Sequence, residues 1–117
     1  MRLLISGDRN WRWEERHVIL DEIKKREPSL IIHGGARGAD TIAGKAGEYL
    51  GIETIVYPAQ WETYGIAAGP RRNEQMIKEG KPDFILAFHK NISASKGTKH
   101  MLSLAVKNKI PYKLIDK

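Results

Sequence analysis

The sequence contains no cysteine among its 117 residues. This excludes disulfides, metal sites built on thiolates and cysteine nucleophiles, and it fits a cytosolic protein. The chain also lacks an uninterrupted apolar run of about 18 residues, which a membrane-spanning helix requires. The apolar stretch near the N-terminus is too short for a signal peptide. We therefore expect a cytoplasmic protein that has no membrane segment.

Two further absences narrow the function. No Gly-x-x-x-x-Gly-Lys-[Ser/Thr] loop is present, which argues against phosphotransfer as the activity. The His and Asp residues are scattered without metal-ligand spacing, so no metal site is predicted. The net charge is +6, but the lysines and arginines are also scattered. An anionic partner suits this charge, and nucleic acid is not favoured on charge alone.

The length and the hydrophobic content of 41% predict a single globular domain over residues 1–117. Short apolar segments alternate with helical patterns along it. This order predicts an α/β fold, a three-layer Rossmann-like domain with a five-stranded parallel sheet and helices on both faces. The expected strands are 2–6, 29–33, 52–57, 83–88 and 111–115, the expected helices are 13–26, 38–50, 70–79 and 97–107, and residues 58–69 and 89–96 are expected to be loops.

A glycine-rich turn follows the second strand and precedes the second helix. Gly34, Gly35 and Gly38 carry no Cβ, so their backbone can approach a ligand closely. The positive end of the following helix dipole favours an anion, most often a phosphate. We predict that backbone amides of this turn cradle a phosphate; the alternative is a tight strand-to-helix turn without a ligand. Arg37 either clamps the phosphate or is a solvated loop cation. Asp40, in the first helical turn, either satisfies amides there or contacts a ribose or transfers a proton.

Ligands of parallel sheets bind beyond the carboxyl ends of the strands. Trp61 and Tyr64 follow the third strand and either form a stacking wall for a base or anchor their loop. Asp8 either accepts from a sugar or base or caps the next helix. His89 ends the fourth strand, where it is either a general acid–base group or merely polar. The candidate ligand-binding residues are Ser6, Gly7, Asp8, Arg9, Gly34, Gly35, Ala36, Arg37, Gly38, Asp40, Trp61, Arg72, Asn73, Ser95, Gly97 and Thr98, and the weak catalytic candidates are Asp40, Asp8 and His89.

Four ordered motifs resemble one known family. They are Gly34-Gly-Ala-Arg-Gly-Ala-Asp40, then Pro58-Ala-x-Trp-x-x-Tyr-Gly65, then Ala68-Gly-Pro-x-Arg-Asn-x-x-Met76, then Ser95-x-Gly-Thr98. Together they are similar to the YspA-related branch of the SLOG superfamily, over residues 6–111. The resemblance implies a Rossmann-like domain that binds nucleotides or nucleotide-derived ligands such as ADP-ribose or NAD, with no cofactor required. It leaves a homo-oligomer open, because the related LOG enzymes are dimers.

One departure from the superfamily bears on catalysis. LOG phosphoribohydrolases carry Pro-Gly-Gly-x-Gly-Thr-x-x-Glu after the fourth strand, and the Glu is the acid implicated in N-glycosidic cleavage. Gly97 and Thr98 correspond to the Gly-Thr, Arg72 resembles the Arg of the preceding helix, and Met101 stands where the Glu would be. The LOG mechanism therefore does not carry over.

Three functions follow from these patterns. The first is a module that binds or senses a nucleotide-derived ligand. The second is a nucleotide hydrolase, in which Asp8, Asp40, Glu62 or Glu74 supplies the missing acid. The third is single-strand nucleic-acid binding, as in the DprA proteins of the same superfamily, which predicts an affinity that falls steeply with salt.

Overall fold

A computed structural model of the chain describes residues 1–116, and its elements follow the expected alternation of strands and helices. The strands are Arg2–Gly7 (β1), Leu30–His33 (β2), Glu53–Val56 (β3), Phe84–Phe88 (β4) and Tyr112–Ile115 (β5), and the helices are Arg16–Arg26 (α1), Ala39–Leu50 (α2), Trp61–Tyr64 (α3), Ala68–Gly80 (α4) and Gly97–Lys107 (α5). Short 3₁₀ turns occupy Trp13–Glu15, Gly65–Ala67 and Ile92–Ala94.

The five strands form one parallel sheet in the order β3-β2-β1-β4-β5. Its centre is β1, where Leu4 pairs with Ile32 of β2 on one side and with Ile85 of β4 on the other. The chain first builds outward from β1 to β3, and then crosses to the other side of β1 to build β4 and β5. The strand order therefore reverses between β1 and β4, which is where open α/β sheets form ligand-binding crevices.

Helices cover both faces of the sheet, as the sequence predicts. Side chains alternate along a strand, so Leu3 and Ile5 of β1 lie in one core cluster and Leu4 lies in the other. The first cluster includes α1 and α2 residues, and the second includes Met76 of α4 and Met101 of α5. Burial on both faces explains why the central strands are continuously apolar. The expected Rossmann-like three-layer α/β fold is confirmed.

Residues 58–69 are not the irregular loop that the sequence predicts. The one-turn helix Trp61–Tyr64 and the 3₁₀ turn Gly65–Ala67 lie within this range, and α4 begins at Ala68 rather than at Pro70. Pro70 fits there because the N–H groups of a first helical turn have no intrahelical acceptor, so a proline loses no hydrogen bond. The expected helix 13–26 differs as well, since its first turn is 3₁₀, and the expected loop 89–96 contains the 3₁₀ turn Ile92–Ala94.

One charged residue of α1 lies among the apolar residues that this helix buries. Glu22 is buried together with the apolar residues of that helix. Its carboxylate lies 3.2 Å from Lys25 Nζ, 3.5 Å from an Arg26 guanidinium nitrogen and 3.7 Å from Lys113 Nζ on β5. These cations offset the cost of burying the charge. Within residues 1–116, no helix has the length and apolar character needed to cross a bilayer.

Candidate functional site

A cleft of about 570 Å³ lies at the carboxyl ends of β1 and β4, where the strand order reverses. The turns after β1 and β2, the first turns of α4 and α5, and the exposed ring of Trp61 form its walls. Most of the sequence-predicted site residues meet in this cleft, because these turns all leave the same edge of the sheet. Those that line it are Ser6, Gly7, Asp8, Arg9, Ala36, Arg37, Asp40, Trp61, Arg72, Asn73, His89, Ser95, Gly97 and Thr98.

The charges lining the cleft are mainly positive. Four cationic side chains line it, and they come from four different segments of the chain: Arg9, Arg37, Arg72 and Lys96. The carboxylates among its lining residues are those of Asp8 and Asp40. Arginine guanidinium groups form bidentate hydrogen bonds with phosphates and carboxylates. The cleft is thus suited to an anion.

Three amides of the glycine turn donate hydrogen bonds within the protein. The N–H groups of Gly34 and Ala36 donate to Asp40 Oδ2 at 3.0 and 3.3 Å. The N–H of Gly35 donates to His33 Nδ1 at 3.0 Å. The amides of Gly34 and Gly35, two of the three glycines expected to cradle a phosphate, therefore already have partners within the protein. Of the roles open to Asp40, the structure shows the satisfaction of these amides.

Asp40 is a buried carboxyl group with a shifted pKa. It is 5% exposed, and burial raises its pKa to about 6. The hydrogen bonds from the Ala36 and Gly34 amides and the positive charges of Arg72 and Arg9 lower the pKa, but they do not outweigh burial. Asp40 is thus close to half protonated near pH 6, unlike an exposed aspartate.

Arg72 connects the glycine turn to α4. Its Nη1 donates to the Gly34 carbonyl at 2.6 Å, and its Nε donates to Asn73 Oδ1 at 3.1 Å. A Cβ on residue 34 would overlap the Arg72 guanidinium, so a larger residue there would require Arg72 to move. Burial lowers the pKa of Arg72, while the Asp40 charge acts to raise it. Arg72 therefore links the glycine turn to α4 by hydrogen bonds, and its charged side chain also lines the cleft.

Close backbone packing explains the glycines at 7 and 38. The N–H of Ala39, the first residue of α2, donates to the Asp8 carbonyl at 3.0 Å, which brings the turn after β1 against the start of α2. A Cβ on Gly38 would overlap the Asp8 carbonyl, and one on Gly7 would lie 2.5 Å from the Phe88 carbonyl. Gly38 also needs its positive φ of 78°. It therefore joins two turns and does not line the cleft.

A second cleft of about 410 Å³ adjoins the first. Gly34 and Gly35 line this second cleft, together with residues of the turn after β3. Arg9, Arg37 and Arg72 line both clefts. Arginine side chains therefore lie along the boundary between the two spaces.

Trp61 is the aromatic residue of the cleft, and Tyr64 is not part of it. The Trp61 side chain is 49% exposed, and the Arg9 guanidinium lies 5.5 Å from the centre of its ring. Tyr64 stacks instead with Arg71, at 4.3 Å, beside a separate groove. The stacking wall that the sequence predicts is thus reduced to Trp61 and its neighbouring arginine.

Asp8 and His89 approach each other across the floor of the cleft. His89 Nε2 lies 3.9 Å from Asp8 Oδ1, which is too long for a hydrogen bond. Asp8 Oδ1 accepts from the Asn10 N–H at 2.9 Å, and His89 Nδ1 accepts from the Asn91 N–H at 3.0 Å. The Asp8 side chain therefore stabilises its own turn. It does not cap the following helix, which was one of its two predicted roles.

The loop before α5 is closed by its own side chains. Ser95 Oγ accepts from the Thr98 N–H at 3.0 Å, and the Thr98 side chain is buried. Asn73 Nδ2 donates to the Gly97 carbonyl at 3.2 Å and holds α4 against this loop. Met101, at the position of the LOG glutamate, is fully buried in the core beneath. A side chain at position 101 faces the core and not the cleft.

The sequence analysis did not select several residues that line the cleft. They are Asn10, Ile66, Gly69, Pro70, Lys96 and His100. Each of them lies within three residues of a predicted site residue or, for Ile66, in the expected loop 58–69, so their position on the rim was the available signal. Within residues 1–116, no group of three or more His, Asp or Glu side chains has the spacing of a metal site.

Comparison with known proteins identifies the family. A sequence model of the YspA, cpYpsA-related SLOG family matches residues 1–64. The chain belongs to this family, which confirms the resemblance of its glycine turn and the motif after β3. It is also 36% identical over 121 residues to the "Gene 61 protein" of Mycobacterium phage D29, a match that covers 94% of this chain and 92% of the phage protein. No solved structure matches the chain.

Proposed function

We propose that the chain binds a nucleotide or nucleotide-derived ligand, of the ADP-ribose or NAD type, in the 570 Å³ cleft and acts as a binding or sensing module. One observation carries this proposal. Four cationic side chains from separate segments converge on the cleft, where the opposing carboxylates are those of Asp8 and Asp40. Family membership supports the same ligand class.

The parts of a nucleotide match the groups in the cleft. Phosphate oxygens suit the guanidinium groups of Arg9 and Arg37, which are both exposed. The open face of Trp61 suits a base, because aromatic stacking tolerates every base. Asp8 offers a carboxylate acceptor for ribose hydroxyls. A cleft of about 570 Å³ lies within the range of small-molecule sites.

The same geometry favours binding over LOG-type hydrolysis. Position 101 is fully buried, so no residue placed there reaches the substrate. Asp40 is engaged by two amides of the glycine turn. Asp8 is the remaining cleft carboxylate, and its Oδ1 is held by Asn10. No matched pair of acid and base with hydrogen-bond geometry faces the cleft within residues 1–116.

The test has two parts. Small molecules released by denaturing the purified protein are identified by mass spectrometry, and thermal unfolding is followed with AMP, ADP, ADP-ribose, NAD and cyclic dinucleotides. A ligand at 100 times its Kd adds about 2.7 kcal/mol to the free energy of unfolding. Stabilisation by a nucleotide that is recovered intact supports the proposal. Recovery of free base and sugar phosphate supports the hydrolase, and no response to any nucleotide refutes the phosphate site.

A matched pair of variants locates the site. Arg37→Gln removes an exposed cation from the cleft, and Arg12→Gln removes an exposed cation that does not line it. The proposal predicts that Arg37→Gln reduces the nucleotide-induced stabilisation and that Arg12→Gln leaves it unchanged. Equal effects of the two substitutions would indicate non-specific attraction to positive charge, as for nucleic acid.

A further inference from the structure

His100 lines the cleft from the first turn of α5 and is half-buried. We propose that His100 is a ligand-binding residue of this site, which donates a hydrogen bond from Nε2–H to an anionic oxygen, and that Asn73 is the positioning residue that fixes this tautomer. The inference rests on the proposed function, because it assigns one more contact to the same anionic ligand.

The orientation of Asn73 follows from Arg72. A guanidinium group only donates hydrogen bonds, so the atom that receives Arg72 Nε at 3.1 Å must be the Asn73 carbonyl oxygen, Oδ1. The other end of the amide is then Nδ2, which only donates. This orientation agrees with the Gly97 carbonyl, an acceptor that lies 3.2 Å from Nδ2.

The orientation of Asn73 in turn fixes the tautomer of His100. Asn73 Nδ2 lies 3.2 Å from His100 Nδ1. Because Nδ2 donates, Nδ1 must accept, and the single proton of the neutral ring is then on Nε2. A proton on Nδ1 would place two donors opposite each other. In the neutral ring, the network therefore leaves Nε2–H as the donor.

Three histidines near the carboxyl edge of the sheet share this tautomer, but the surroundings of their Nε2 atoms differ. The Nδ1 atoms of His33 and His89 accept from the backbone amides of Gly35 and Asn91. His33 is buried, and its Nε2 packs against Gly44, where an added Cβ would lie 2.9 Å away. His89 Nε2 faces Asp8 at 3.9 Å. Within residues 1–116, His100 Nε2 has no hydrogen-bond partner, which leaves it for a ligand.

The surroundings of His100 suit an anionic oxygen. The backbone N–H of His100 donates to the Lys96 carbonyl at 3.0 Å, and both residues line the cleft. Arg72 binds the other end of the Asn73 amide and also lines the cleft, so His100 shares the cleft with two cations. A neutral imidazole that donates is a binding group rather than a strong acid. This role agrees with a module that retains its ligand unchanged.

The first experiment reads the tautomer directly. Long-range ¹H–¹⁵N spectra of the full chain at pH 8, where imidazole is neutral, distinguish Nε2–H from Nδ1–H. His100 is expected as Nε2–H in the wild type. Asn73→Asp turns the facing donor into an acceptor, so His100 is expected as Nδ1–H in that variant. An Nδ1–H tautomer in the wild type would overturn the assignment.

The second experiment measures binding of ADP-ribose by calorimetry. His100→Ala is expected to raise the Kd at least about tenfold, the usual effect of losing one hydrogen bond to a charged group. His100→Gln keeps an N–H donor near the position of Nε2 and is expected to restore most of the affinity. His17→Ala, outside the cleft, is the matched control. Thermal unfolding of each variant verifies folding.

The outcomes separate the two proposals. If the wild type binds ADP-ribose and His100→Ala binds equally well, this inference is overturned and the proposed function stands. If His100→Gln is as weak as His100→Ala although both are folded, the donor role of Nε2 is overturned. If the wild type does not bind ADP-ribose, the proposed function fails for that ligand, and the contact assigned to His100 fails with it.

Discussion

Replacing Asp40 by Asn tests the electrostatics at the centre of the site. The Asp40 carboxylate accepts from the Gly34 and Ala36 amides inside the protein. An asparagine oxygen can accept from the same two amides, but the side chain does not ionise. The substitution therefore keeps the hydrogen-bond acceptor and removes the charge.

The size of the effect follows from the shifted pKa of Asp40. The pKa is raised from 3.8 to about 6, so the folded state binds more protons than the unfolded state between these values. The contribution of Asp40 to stability is fully present below pH 3.8 and is lost as pH rises through 6. A shift of about two pKa units corresponds to about 3 kcal/mol. As the pH rises from 4 to 7, the free energy of unfolding of Asp40→Asn should therefore increase by about 2 to 3 kcal/mol relative to that of the wild type.

The assay is urea unfolding of both proteins at several pH values. Other groups titrate equally in the two chains, so the difference in unfolding free energy isolates Asp40. The difference is expected to move in favour of Asp40→Asn as pH rises from 4 to 7 and then to level off. A difference that does not change with pH, or that moves in favour of the wild type, would refute the reasoning.

Three further predictions concern the core, the turns and the cleft. Met101→Glu restores the LOG glutamate in sequence but buries an unpaired carboxylate, so urea unfolding should show a loss of at least about 3 kcal/mol in the free energy of unfolding. The variant should also release no base from AMP. A folded variant that releases the base would contradict the placement of position 101 in the core. Gly7→Ala, whose Cβ would lie 2.5 Å from the Phe88 carbonyl, should lose about 1 to 3 kcal/mol of unfolding free energy. Gly97→Ala, with open space around its Cβ, should change the unfolding free energy by less than about 0.5 kcal/mol. Similar thermal shifts for the two variants would contradict the packing argument. Arg9→Gln should raise the Kd for ADP-ribose about tenfold in calorimetry without loss of stability, because this arginine is exposed; unchanged affinity would remove Arg9 from the site.

The sheet could be predicted from the sequence because its strands and helices have strong local patterns. The apolar runs of β1, β2 and β4 and the 3.6-residue period of α2 each specify one element, and right-handed crossovers fix much of the topology. The helix Trp61–Tyr64 has no such pattern. It is a single turn without a side-chain cap, its aromatic residues are exposed, and Gly65 follows with a φ of 56°.

The site could be predicted only to the level of its position. Residues that leave the carboxyl edge of the sheet meet there, which is why most of the predicted residues line one cleft. Which amides remain free depends on side-chain contacts, and the motif does not show that Asp40 and His33 accept from the amides of the glycine turn. His100 was missed for a related reason. The apolar period of α5 selects Met101 as its inward residue, while the neighbouring side chain turns toward the cleft.

The central claim is that a nucleotide-derived anion binds in the cleft at the reversal of strand order. The most direct test is a titration of the ¹⁵N-labelled chain with ADP-ribose, followed through its backbone amide resonances. The account predicts saturable shifts concentrated in residues 6–10, 34–40 and 95–100, with little change along the outer faces of α1 and α2. Shifts that cluster away from these turns, or none at saturating ADP-ribose, would contradict it.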